Sequence, residues 1–163
     1  MWKTGDRLIY KTLGVCTVEG IKSESFMGEM CEYYQLRPLG DEKNVTLVPK
    51  NNEALVARMF PLVSPEEAER IISLFDTFEH PWKDNDKLRA EDFKSTLESC
   101  DRERIAGLIN TVRKKRREAF EKGKKTRASD ESFCERAEKL LFSELSYVLG
   151  CEIPDICAKI FTA

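Results

Sequence analysis

The sequence predicts a chain in two parts, a small antiparallel β barrel over residues 1–63 and a compact bundle of about five helices over 64–163. Three observations carry this. Short runs of β-forming residues, separated by glycine-marked turns, continue to about Val63. Ser64-Pro65-Glu66-Glu67 then breaks the pattern. From there to the C-terminus the apolar residues recur at three- and four-residue spacing.

In the first part the expected strands are Arg7–Tyr10, Val15–Ile21, Glu32–Leu36 and Val45–Val48. Gly14, Met27-Gly28 and Leu39-Gly40-Asp41 mark the turns between them. Val56–Phe60 reads as a fifth strand or as a helical turn. The imperfect alternation of Val15-Cys16-Thr17-Val18-Glu19-Gly20-Ile21 suits a strongly bent sheet, where glycine relieves a tight bend. Five short antiparallel strands in so short a segment imply an SH3/Tudor-like barrel.

In the second part Ser64 is a good N-cap, Pro65 fits the first helical position, and Glu67 completes a capping box. The first helix is expected over 65–77, with Ala68, Ile71, Ile72 and Phe75 inward. The linker Glu79-His80-Pro81-Trp82-Lys83-Asp84-Asn85 follows. A second helix, 86–98, turns Leu88, Phe93 and Leu97 inward. Asp101 caps a third, whose stripe of Ile105, Leu108, Ile109, Val112 and Phe120 runs toward Lys122 before Gly123 ends it. Ser129 is expected to cap the fourth, with Phe133, Ala137, Leu140, Leu141, Leu145 and Val148 inward and Gly150 at its C′ position. Pro154 opens a short last helix, 155–161. No single stripe buries its own face, so the helices must pack together.

Composition narrows the function. The net charge is −2, yet residues 1–80 hold 9 Lys/Arg against 13 Asp/Glu, leaving 18 basic and 16 acidic residues in 81–163. Any basic patch belongs to the helical half. The six cysteines show no Cys-x-x-Cys spacing, so no metal is expected, and they read as small buried hydrophobes of a reducing compartment. The one histidine, His80, sits in a linker, and no nucleotide-binding glycine loop is present. No catalytic residue, cofactor or small-molecule substrate is expected. No run reaches membrane-spanning length and the N-terminus lacks an apolar leader, so a cytoplasmic monomer is expected, without a membrane partner.

Three features remain. Arg113-Lys114-Lys115-Arg116-Arg117, continued by Lys122, Lys124, Lys125 and Arg127, is the densest charge run. It suits tracking of phosphates, with Arg113, Lys114 and Arg117 on one face, or is simply a solvated helix end favoured by the helix dipole. Trp82, beside Pro81 in a polar linker, either pins that linker to the core or serves as an exposed interaction residue, able to wedge against an opened base step. The open edge of the β module suits capture of a partner strand.

A set of colinear segments resembles a known family. Gly5-Asp6-Arg7-Leu8-Ile9-Tyr10, Leu13-Gly14-Val15, Val18-Glu19-Gly20-Ile21, Tyr33-Tyr34-Gln35-Leu36 and Val45-Thr46-Leu47-Val48-Pro49 are similar to the CarD/CdnL bacterial transcription regulators. The same part is shared with the RNA-polymerase-interacting domain of the transcription-repair coupling factor. Trp82, Arg89-Ala90, Leu97-Glu98-Ser99-Cys100-Asp101 and 137–145 resemble the CarD helical domain, in the same order.

The resemblance implies a Tudor-like module on the RNA polymerase β subunit and a helical domain on promoter DNA at the upstream fork of the bubble, with a tryptophan wedge that alters open-complex lifetime. Trp82 takes the wedge position and Arg89 a basic, DNA-facing one. Two positions that are basic in relatives fall on Glu24 and Leu47, so polymerase contact is expected to involve Glu24 with Phe26, Val45 and Leu47. DNA contact is expected at Trp82, Arg89, Arg113, Lys114, Arg117, Lys124 and Lys125. The alternative is a protein-only adaptor whose helices recruit a second protein.

Overall fold

The computed structural model describes residues 1–161. The chain forms two compact units, Met1–Leu62 and Val63–Ala163.

The first unit contains β1 (Arg7–Tyr10), β2 (Val15–Phe26), β3 (Glu29–Pro38), β4 (Thr46–Pro49), the single turn α1 (Glu53–Val56) and β5 (Met59–Pro61). All pairings are antiparallel, in the order β4-β3-β2-β1-β5. The five-stranded Tudor-like module is present as a sheet that is not closed, with β4 and β5 at its ends. The ambiguous Val56–Phe60 segment is divided, ending one helical turn and beginning β5. Leu8, Tyr10, Cys16, Val18, Tyr34, Leu36, Val48 and Met59 form the core, with Trp2, Leu55 and Val56 packed against it. The broken alternation near Gly20 is a bulge, where the β2–β3 register shifts between Val18 and Gly20.

β2 and β3 run well past the predicted strands. Lys22 to Phe26 pair with Tyr33 to Glu29, although the 22–25 stretch has no apolar alternation. The turn explains this. Met27 (φ 51°) and Gly28 (φ 83°) are both left-handed, the geometry that matches strand twist and holds a two-residue hairpin in register.

The second unit contains α2 (Pro65–Ser73), α3 (Asp86–Ser99), α4 (Arg102–Glu121), α5 (Ala128–Leu149) and α6 (Ile153–Phe161). Ser64 Oγ caps α2 by accepting from the Glu67 amide at 3.1 Å. The other half of the capping box is replaced, because the Glu67 carboxylate turns to Arg70. α2 stops at Ser73 rather than 77. A single 3-10 turn, Phe75–Thr77, follows. Asn110 of α4 takes the carbonyls of Phe75 and Phe78 at 2.5 and 3.0 Å, satisfying backbone groups the helix would otherwise have used.

Three sequence expectations in this unit are corrected. Leu88 is 52% exposed, and Arg89 holds the inward position instead. Phe120 is 82% exposed because the buried residues of α4 end at Val112. α5 begins at Ala128 after Arg127, with no side-chain cap, so Ser129 lies inside its first turn. Where chain meets bundle, buried Glu144 accepts from Arg102 at 2.7 and 2.9 Å and from the Val63 amide at 2.9 Å.

Candidate functional site

The β unit gathers most of the residues expected to meet polymerase. Side chains alternate across a strand, and Glu24, Phe26 and Leu47 face the partner positions Cys31, Glu29 and Gln35. These positions share one parity, opposite to buried Tyr34, Leu36 and Val48. Glu24, Phe26 and Leu47 therefore line the outer face, with Phe26 64% and Leu47 37% exposed. Val45 lies just before β4. Glu24 is not a bare charge, since Lys22 Nζ sits 2.6 Å from its carboxylate. β4 ends the sheet and pairs only with β3 among the described residues, leaving its outer edge open.

The helical unit builds a site around the linker. Gly107 of α4 lets that linker lie directly on the helix, since a Cβ there would be 2.7 Å from the Glu79 carbonyl group. Thr111 Oγ1 accepts from the His80 amide at 3.0 Å and donates to the His80 carbonyl at 3.1 Å. The His80 ring is buried, with Nε2 2.6 Å from Asp92 Oδ2 and the ring against Phe93. This histidine ties the linker to α3.

Trp82 comes next and is half-buried. Its ring meets Phe93 edge-on at 6.2 Å, the Arg89 guanidinium at 4.3 Å and Lys115 Nζ at 5.1 Å. It is thus an anchored aromatic with a remaining exposed surface. The anchoring contacts correspond to the reading in which Trp82 pins the linker to the core.

Arg89 departs from its expected DNA-facing position. It is 3% exposed, and its guanidinium donates to Asp130 twice at 2.9 Å, to Asp86 at 2.8 Å and to the Lys83 carbonyl at 2.8 Å. Hydrogen bonding to Asp130 raises its pKa further. A guanidinium so fully engaged holds Trp82 and offers no free donor fork to phosphate.

The basic run is equally divided. Arg113 pairs with Glu138 and lies 3.7 Å from the Phe161 ring centroid, Lys115 pairs with Glu118, and Arg116 pairs with Glu131. Lys114, Arg117, Lys124 and Lys125 are exposed and make no ion pair among the described residues. Sequence spacing put Arg113 with Lys114 and Arg117, but the structure gives its charge to Glu138. Asn110, Thr111, Gly107 and Asp130 were missed by the sequence reading. Their one visible signal is that small or polar residues interrupt otherwise apolar or charged helical faces.

Burial pushes the Cys16 and Cys100 thiols up to about 11 and Cys134 to about 12. Among the described residues no cluster of His, Cys, Asp or Glu is arranged to hold a metal. No described helix is long and apolar enough to cross a membrane.

Residues 2–60 match the family model of the CarD-like/TRCF RID domain. A Bacillus subtilis (strain 168) protein named "Putative transcription factor YdeB" is 23% identical over 154 residues, covering 92% of this chain and 94% of the relative. The family match coincides with the five-stranded unit, and the relative spans both units. The N-terminal unit is therefore of the CarD-like/TRCF RID type, and the chain over both units is similar to a protein named as a putative transcription factor.

Proposed function

We propose that the chain is a non-enzymatic transcription regulator that docks on the RNA polymerase β subunit and contacts promoter DNA at the upstream fork of the bubble, modulating open-complex stability. The outer face of Glu24, Phe26 and Leu47, beside the open β4 edge, is the polymerase dock, where an added strand would find unpaired backbone groups. Trp82 is the DNA-facing wedge, with Lys114, Arg117, Lys124 and Lys125 taking phosphates. Arg89 acts behind Trp82 as a positioning residue.

The observation that carries this reading is the placement of Trp82. It is braced by two cations and Phe93, yet keeps exposed surface on the side of α4 where Lys114 and Arg117 are exposed. Capture of bacterial RNA polymerase by the full chain, compared with Leu47→Asp, tests the dock. Leu47 is on the outer face, so its substitution should cut capture at least tenfold without unfolding the sheet. Undiminished capture would place the dock elsewhere.

One observation favours the adaptor instead. Three of the five cations in 113–117 are already paired with acids. Salt decides between the two. DNA binding through several phosphates should weaken by orders of magnitude between low and moderate salt, whereas a protein-only adaptor has no DNA affinity to lose.

A further inference from the structure

Past the core of the first unit, the β2–β3 hairpin runs on as a two-stranded ribbon. β1 pairs with β2 only as far as Thr17, and the backbone of Gly5 and Asp6 continues that cover to Val18. Beyond Glu19, among the described residues, β2 has a neighbour on its β3 side only. A two-stranded hairpin is marginal in water, and an uncovered edge is a template for another strand. The pairing shows which groups are free. The Glu32 carbonyl takes the Lys50 amide, so the even-numbered residues of β3 turn their backbone toward β4. Odd-numbered Glu29, Cys31 and Tyr33 then bond to their partners Phe26, Glu24 and Lys22. The N–H and C=O groups of Ile21, Ser23 and Ser25 are left on the open edge.

A second copy of the same edge fits it. In antiparallel pairing centred on Ser23, each Ser23 faces Ser23 of the second copy, and Lys22 faces Glu24 of the second copy in both directions. Phe26, 64% exposed, falls across Gly20 of the second copy, where no side chain competes with the ring. The neighbouring symmetric registers, centred on Lys22 or on Glu24, set like charges face to face. An edge lysine ordinarily repels an incoming strand. Here Lys22 Nζ lies 2.6 Å from Glu24 Oε1, so its charge is already balanced.

We infer that two copies of the chain associate reversibly through β2, antiparallel and centred on Ser23. The contact is short, with about six backbone hydrogen bonds, and suits a transient pair. It departs from the monomer expected from sequence. It does not depend on the polymerase reading, whose open edge, β4, lies on the other side of the hairpin. Only Glu24 and Phe26 are common to the two surfaces.

The test is disulfide trapping of the full chain under mild oxidation. Residues paired at the axis bring their Cα atoms to about 5.5 Å, within reach of a disulfide, and residues two positions along are out of reach. Ser23→Cys should therefore give the linked dimer at least about tenfold faster than Ser25→Cys, which keeps the same native cysteines. Adding Glu24→Lys to Ser23→Cys should slow linkage about fivefold, and adding Lys22→Glu as well should restore it. None of these side chains is buried, so the sheet is not threatened. Leu47→Asp, which tests the polymerase dock, should leave linkage by Ser23→Cys unchanged. Absence of linkage, equal linkage at 23 and 25, or a rate indifferent to Glu24→Lys would overturn the inference and leave the polymerase reading intact. Linkage lost with Leu47→Asp would overturn it by moving the contact to β4.

Discussion

The two halves of α4 are built on different principles. From Ile105 to Val112 the helix is core, and Gly107, Asn110 and Thr111 are fitted to the linker that crosses it. From Arg113 onward no residue is buried, apolar Phe120 points to solvent, and charge dominates. The first half fixes where Trp82 sits. The second half supplies what lies around it. One helix thus joins a packed half to a charged, solvent-facing one, and substitutions in the two halves should fail in different ways.

Arg89→Ala should produce the largest effect, because it strips a partner from buried Asp130 and removes a support of Trp82. Breaking such a buried pair costs about 3–5 kcal/mol, measured as a lowered urea midpoint, and the emission of Trp82 should shift toward that of an exposed indole. Retained stability would mean that Asp130 finds another partner.

Gly107→Ala comes next. Its Cβ meets backbone rather than a flexible side chain, so the linker must lift, at about 1–3 kcal/mol. The sharper sign is faster amide exchange at His80, whose hydrogen bond to Thr111 would lengthen.

The thiols set a pH dependence that belongs to the buried regions. Folded Cys16, Cys100 and Cys134 keep their protons to about pH 11–12, whereas unfolded thiols lose them near about 8.5. The folded state binds more protons in that window. Stability from this source is full below about pH 8.5 and falls as pH rises toward 11–12. Urea midpoints at mildly and strongly alkaline pH check this, and Cys134→Ala should flatten the decline.

Lys114→Gln and Arg117→Gln should change stability least, within about 0.5 kcal/mol. Each should reduce the logarithmic salt slope of DNA binding by about 1 if its charge meets a phosphate. An unchanged slope would confine the basic end of α4 to solvation.

What was legible in the sequence follows the same division. Ser64, Asp101 and Gly150 act within a few residues of themselves, so their roles could be read from local chemistry. Phe93, Ile105 and Leu141 follow the stripes, and the stripes are right wherever a neighbour covers them. Leu88 and Arg89 exchange roles because Asp130, which makes an inward arginine affordable, lies 41 residues away. Phe120 was read as core because periodicity does not say where a helix outruns its partners. The Met27-Gly28 turn was legible, but the extension of β2 and β3 up to it was missed, because backbone pairing sustains it without apolar alternation. Trp82 stood out at once, but its bracing by Arg89, Lys115 and Phe93 joins three positions that sequence spacing does not connect.

The most direct test of the central claim is open-complex lifetime on a bacterial promoter, with polymerase saturated by wild-type chain or by Trp82→Ala. We predict that the variant still binds polymerase but loses the wild-type effect on lifetime. A Trp82→Ala chain that binds polymerase and changes lifetime as the wild type does would contradict the account.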